Sequence, residues 1–166
     1  ELWNEEQGFY FNRRTDTGEF SQVLSPTNFY ALFSRQIPRE RLKRIEAYYF
    51  DPEVFYGDWM IPSVMRCHPA FQEQDYWRGR IWAPLNFLVY LALQGHNMLS
   101  MQHDLASKSK SLFLKEWLEY RHIHENYSAI TGEGCDKKNS DRFYHWGALL
   151  AIIWLMECGE VPPIMN

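Results

Sequence analysis

Cysteine is scarce in these 166 residues, limited to Cys67, Cys135 and Cys158. Three thiols cannot all pair and no Cys-x-x-Cys occurs, so a disulfide framework is not expected and the thiols should be reduced. That usage favours a reducing, cytoplasmic setting. Clustered positive charge is equally scarce. The net charge is −4, and the densest basic run, Arg39-Glu40-Arg41-Leu42-Lys43-Arg44, reads as the wet side of a helix. A nucleic-acid partner is therefore not expected. The longest apolar run, Ala148 to Met156, is too short to cross a bilayer, and no signal peptide is visible. Repeats and low-complexity segments are missing too. So is an initiator methionine: the chain opens Glu1-Leu2-Trp3-Asn4-Glu5. This opening reads as the tail of a helix, as in a fragment cut from a longer chain.

Aromatic residues are abundant at 17%, within an apolar fraction of 46%. Large rings supply buried area for a core. They also form the walls of sugar sites, where a ring face stacks on the C–H face of a pyranose. Composition is compatible with both uses.

The patterning is mainly helical. Residues 8–23 read as a hairpin, with Phe9 and Phe11 alternating with polar neighbours and Asp16-Thr17-Gly18 supplying the turn. Ser25-Pro26 starts a helix running to about Phe33, with Ser25 as its cap. Pro38 opens a second helix, one-sided through Leu42, Ile45 and Tyr49. Residues 51–83 are a long irregular stretch rich in Trp, Pro and Gly, and a loop of that length is usually functional. Pro84 starts a helix that is apolar on every side, so it should be buried. Residues 105–121 form another one-sided helix, with Leu105, Leu112, Phe113, Trp117 and Tyr120 on its apolar side. Residues 143–159 are apolar all round, and Gly159 is placed to cap the end.

Outer and buried helices thus alternate, and long loops lead into the buried ones. A double-layered ring of helices requires this alternation, whereas a four-helix bundle would show similar stripes on every helix. The expected fold is all-α: a partial (α/α)6 toroid of inner and outer helices with a short N-terminal β-hairpin. A closed ring needs about a dozen helices of ordinary length, and this chain supplies about five. Residues 1–166 are therefore expected to be the C-terminal part of a longer barrel domain.

Three segments carry chemistry. In Asp75 to Asn86, two tryptophans, two arginines and a glycine cluster at the mouth of a buried helix. Gly79 lets backbone approach closely, Arg78 offers a fork of donors suited to hydroxyls, and Asn86 needs a polar partner on a helix otherwise apolar. In His124 to Gly134, a loop carboxylate lies among Tyr, His and Asn and could be held as a general base for water. In Phe143 to Gly147, a Trp-Gly pair starts the last buried helix. Each segment also has a plain structural reading, as core tryptophan, solvated glutamate or close-packing glycine.

The segments YWRGRIWAPLNFLVYLAL, HENYSAITGEG and FYHWGALLAII, in this order and spacing, resemble glycoside hydrolase family 63 and its relatives among the trehalases and mannosylglycerate hydrolases. LWNEEQGFYFNRRTDTGEF and GDWMIPSV extend the resemblance over nearly the whole chain. It implies an (α/α)6 barrel and inverting hydrolysis of α-glucosides or α-mannosides, with an Asp as general acid and a Glu as general base. The glutamate of the family's E-x-Y-x-x-x-T-G segment falls on Glu125, with Glu133 as runner-up. Tyr76, Trp77, Arg78, Gly79, Trp82, Asn86, Tyr127 and Trp146 would shape the sugar pocket. The resemblance implies that the acid belongs to an earlier part of the barrel, and Asp51, Asp58 and Asp75 lie in other motifs. The implied partners are an oligosaccharide or glycoside substrate and the remaining N-terminal part of the same barrel. No cofactor is implied.

The alternative is a non-catalytic, carbohydrate-binding or structural toroid fragment. A metal site at His122, His124, Cys135 and His145 matches no standard zinc spacing, so none is expected. Asn126-Tyr127-Ser128 is formally a glycosylation sequon, but a glycan there would block the proposed base.

Overall fold

The computed structural model describes residues 2–164. Its regular elements are two short strands, β1 (Trp3–Asn4) and β2 (Phe9–Tyr10), and four helices. The helices are α1 (Arg39–Tyr49), α2 (Ala83–Gln94), α3 (Leu99–Tyr120) and α4 (Leu149–Glu157). Three 3₁₀ segments accompany them, Pro26–Phe33, Pro69–Glu73 and His145–Ala148. Among the described residues no helix is long and apolar enough to cross a membrane.

The N-terminal hairpin forms upstream of its expected place. β1 pairs antiparallel with β2, Trp3 opposite Tyr10. The segment expected as the tail of a helix is thus a strand, though Glu1 lies outside the described residues. Downstream, only the Arg13–Phe20 bridge forms across the Asp16-Thr17-Gly18 turn. Exposed polar residues crowd that second loop, and they give a longer ladder nothing to pack against. The basic run of α1 is also not simply wet. Arg44 donates to the Glu5 and Glu6 carbonyls, both at 2.9 Å, and the Arg41 guanidinium lies over the Trp3 ring. These contacts fasten the strands to α1.

Helix α2 lies at the centre, against the Pro26–Phe33 segment, α3 and α4. Val89, Tyr90, Ala92 and Leu93 are almost wholly buried. The Pro26–Phe33 segment starts as its sequence predicts, with the Asn28 side chain accepting from the Ser25 N–H at 2.8 Å. It is wound as a 3₁₀ helix rather than an α-helix. Helix α3 begins at Leu99, earlier than patterning suggests, and its buried stripe is Met101, Leu105, Ser109, Leu112 and Glu116. Trp117 and Tyr120, expected on that side, are exposed. Polar groups in the stripe are matched: Ser109 donates to the Leu150 carbonyl at 2.8 Å and so ties α3 to α4. The Tyr90 phenol donates to Glu157 at 2.6 Å, tying α2 to the end of α4.

Helix α4 covers one face, Leu150, Ile153 and Met156, with its other apolar residues half-buried. It ends in a Schellman turn. Gly159 has φ +76°, its N–H bonds the Met156 carbonyl, and the Glu160 N–H bonds the Leu155 carbonyl.

Candidate active site

The residues leading into α2 make a tight two-residue turn. Asp75 and Arg78 exchange backbone hydrogen bonds at 3.1 and 2.8 Å, leaving Tyr76 and Trp77 at the tip. Tyr76 has φ +47°, an uncommon conformation for a bulky residue. Such backbone persists where surrounding contacts hold it, and it is concentrated at functional sites. Here the holding contacts are identifiable. The Tyr76 carbonyl accepts from the Trp82 indole at 3.1 Å, and the Trp77 ring stacks on Trp82 at 3.7 Å between centroids. Trp82 is fully buried, whereas Tyr76 and Trp77 are 38% and 49% exposed.

Gly79 closes the turn with φ +100°, and a Cβ there would lie 2.4 Å from the Phe71 carbonyl oxygen. Gly79→Ala is expected to destabilise the protein by about 1–3 kcal/mol, because strain and overlap act together. Chemical denaturation with near-ultraviolet dichroism of the stacked tryptophans would check this. An unchanged midpoint would contradict the tight turn.

The loop 123–142 folds across this turn. Ile81 and Tyr127 exchange backbone bonds at 2.8 and 3.0 Å, which sets Glu125 beside the aromatic tip. Glu125 is 7% exposed. Its N–H donates to the Asp141 carbonyl at 2.9 Å, and its carbonyl accepts from the Trp146 indole at 3.0 Å. The Tyr76 phenol donates to its carboxylate over a long 3.4 Å, and no other side-chain donor reaches that carboxylate among the described residues. Burial, and then the charge of Glu125, raise the Tyr76 phenol above its usual pKa, so it stays protonated at neutral pH. Trp146 completes the wall, 5.8 Å from Trp82 and tilted against Tyr144 at 4.5 Å. Gly147 lets this wall approach, since a Cβ there would sit 2.6 Å from the His124 carbonyl oxygen.

The structure therefore brings Tyr76, Trp77, Trp82, Glu125 and Trp146 together. Five other expected residues are placed differently. Asn86 is fully buried, and its side chain bonds the N–H and carbonyl of Ile61 and the carbonyl of Trp82, all at 3.0–3.1 Å. It clips the Trp59–Ser63 segment to the start of α2 and has no donor left for a sugar. Tyr127 is also fully buried, its phenol accepting from the His124 N–H at 2.9 Å. It shapes the loop rather than lining the cleft. The buried Gly79 is a turn residue, its N–H held by Ser63 Oγ at 3.0 Å. Arg78 points outward, in an exposed ion pair with Glu73. Glu133 is exposed, in a cleft lined by Lys115, Glu119 and Tyr120.

Sequence reasoning missed Arg80. Its guanidinium is fully buried. It bonds both Asp136 oxygens at 2.8 and 3.0 Å, the Gln74 and Glu133 carbonyls at 3.3 and 3.2 Å, and Asn126 Oδ1. Arg78 and Arg80 flank Gly79, whose positive φ turns the backbone, and they take opposite environments, a difference that composition cannot register. Tyr144 was also missed, although it lies two residues before Trp146.

Comparison with known proteins identifies the fold and the family. The chain is 27% identical over 155 residues to a mannosylglycerate hydrolase of Thermus thermophilus, covering 92% of this chain and 34% of that protein. It is 28% identical over 127 residues to the mannosyl-oligosaccharide glucosidase of Saccharomyces cerevisiae, covering 68% of this chain and 15% of that protein. The structure of a GH63 mannosylglycerate hydrolase from Thermus thermophilus in complex with glucose superposes with a TM-score of 0.76. Identity there is 25%, over 92% of this chain and 34% of that one. The neutral trehalase of S. cerevisiae, 21% identical, shares the fold with a TM-score of 0.66, over 98% of this chain and 30% of that one. The chain thus spans about a third or less of these relatives, and its helices form part of an (α/α) barrel. A family profile described as the mannosylglycerate hydrolase MGH1-like glycoside hydrolase domain matches residues 1–147. With that match over most of its length, the chain belongs to the MGH1-like glycoside hydrolase domain family.

Proposed function

We propose that this chain forms part of the catalytic domain of an inverting glycosidase acting on α-mannosides or α-glucosides, mannosylglycerate among them, with Glu125 as general base. The observation that carries the reading is the setting of Glu125. Backbone bonds on both sides fix the residue, yet its carboxylate has one long side-chain hydrogen bond and borders an exposed aromatic shelf. A carboxylate so placed has an unused oxygen to accept a proton from water.

In the proposed reaction Glu125 takes that proton as the water attacks the anomeric carbon. A second carboxyl group, an Asp outside these residues, protonates the departing oxygen. The two groups of an inverting site stand about 6.5–9.5 Å apart to admit the water. Trp77 and Tyr76 offer exposed ring surface to the glycone, and Trp82 backs them. Tyr76, protonated, can orient the carboxylate or a sugar hydroxyl.

The test is a proton NMR time course with the longest protein that contains this chain, on mannosylglycerate and on α-gluco- and α-manno-disaccharides. Early release of the β-anomer is expected. An initial α-anomer would overturn inversion. Sugar binding with no turnover on any substrate would favour a non-catalytic toroid.

A further inference from the structure

A polar cluster lies behind the Glu125 loop, and the proposed reaction does not use it. Glu116, on the buried stripe of α3, is 2% exposed. Its Oε1 accepts from the Gly134 N–H at 2.8 Å, and its Oε2 faces His124 Nε2 at 3.3 Å and Cys135 Sγ at 3.6 Å. Cys135 Sγ and His124 Nε2 are 3.2 Å apart. His122 packs edge-on against His124, at 4.6 Å between centroids. One nitrogen from each histidine and the Cys135 sulfur all lie within 4.8 Å of one another.

We propose that Glu116, His122, His124 and Cys135 form a binding site for a divalent cation of the zinc class, which locks the loop carrying Glu125 onto α3. The spacing of three of the four groups fits the chemistry. Tetrahedral zinc with its usual bond lengths places neighbouring nitrogen and oxygen ligands about 3.3 Å apart, and sulfur about 3.5 Å from either. The three distances among His124, Glu116 and Cys135 match this.

Proton placement leads to the same site. His124 Nδ1 faces the Ser140 carbonyl at 3.4 Å, and a carbonyl can only accept, so Nδ1 serves as a donor there and Nε2 is left for the cluster. Nε2 is then the ring nitrogen turned toward the Glu116 carboxylate and the Cys135 sulfur, and it is the atom that would ligate the cation. A carbonyl holding the far nitrogen is also the usual support of a ligating histidine.

A separate observation comes from His122, which is 6% exposed and whose Nδ1 is buried without a hydrogen-bond partner. A water or an ion at this position would satisfy that nitrogen. Cys135 is solvent-exposed and supplies the way in. On binding, its thiol proton passes to water and the thiolate becomes the ligand.

The full chain, stripped with chelator, would be titrated with Co²⁺ and followed by absorption. The expected result is one equivalent bound, with the intense visible bands of tetrahedral cobalt and a thiolate charge-transfer band. Zn²⁺ should displace the cobalt and raise the Tm by several degrees. Cys135→Ser should abolish the charge-transfer band, and Cys67→Ser, at an exposed cysteine elsewhere, should leave it intact. A weak octahedral spectrum, no uptake, or a band that survives Cys135→Ser would overturn the site. None of these readouts depends on catalysis.

Discussion

Glu125→Gln is expected to lower turnover by roughly two to four orders of magnitude, the range supplied by a positioned general base, with glycoside binding nearly unchanged. Glutamine keeps the size of the side chain and an oxygen for the Tyr76 phenol, but it cannot take a proton. The contacts fixing this residue are to its backbone, from the Trp146 indole and to the Asp141 carbonyl, so the substitution leaves them in place. Glu133→Gln should have little effect, because Glu133 is solvent-exposed and lines a cleft with Lys115, Glu119 and Tyr120. Single-turnover rates together with calorimetric binding of substrate to both variants would decide the matter. Loss of turnover in Glu133→Gln but not in Glu125→Gln would reverse the assignment.

The largest loss of stability is expected from Arg80→Ala, by about 3 kcal/mol or slightly more. Removing one partner from a buried ion pair typically costs about 3–5 kcal/mol, because the remaining groups stay desolvated and unpaired. Asp136 keeps 25% of its side-chain exposure and can rehydrate, which places the effect at the lower end. Asn126 and the Gln74 carbonyl are buried and lose a charged donor outright. Arg80→Lys should recover little, since one ammonium cannot reproduce a planar fork reaching four residues. Urea unfolding would measure both variants. A midpoint close to that of the parent for Arg80→Lys would show that charge alone suffices. Arg80 bonds Asn126, the neighbour of Glu125, so variants that remain folded should also lose activity.

The sequence made the helical layout legible because hydrophobic periodicity is a local property. One-sided α1 and all-round-apolar α2 and α4 could be read from spacing alone. So could the starts at Pro26 and Pro84 and the stop at Gly159, since caps depend on neighbouring residues. The aromatic cluster and Glu125 were visible through the resemblance of their motifs. Part of the α3 stripe was recoverable as well: adding four to Leu112 gives Glu116, a polar residue on a buried face.

Tertiary structure alone decided how these residues are used. Asn86 and Tyr127 carry the right chemistry for sugar binding, yet Ile61 takes up the Asn86 amide and the Tyr127 phenol is buried against the His124 N–H. Arg78 and Arg80 are two residues apart, and only folding assigns one to solvent and the other to a buried network. Glu116 and Cys135 become neighbours of His124 only when the loop closes on α3. Local sequence fixes backbone preference and burial period. Partner choice depends on which distant groups arrive at hydrogen-bonding distance, and that is set by the packing of the whole chain.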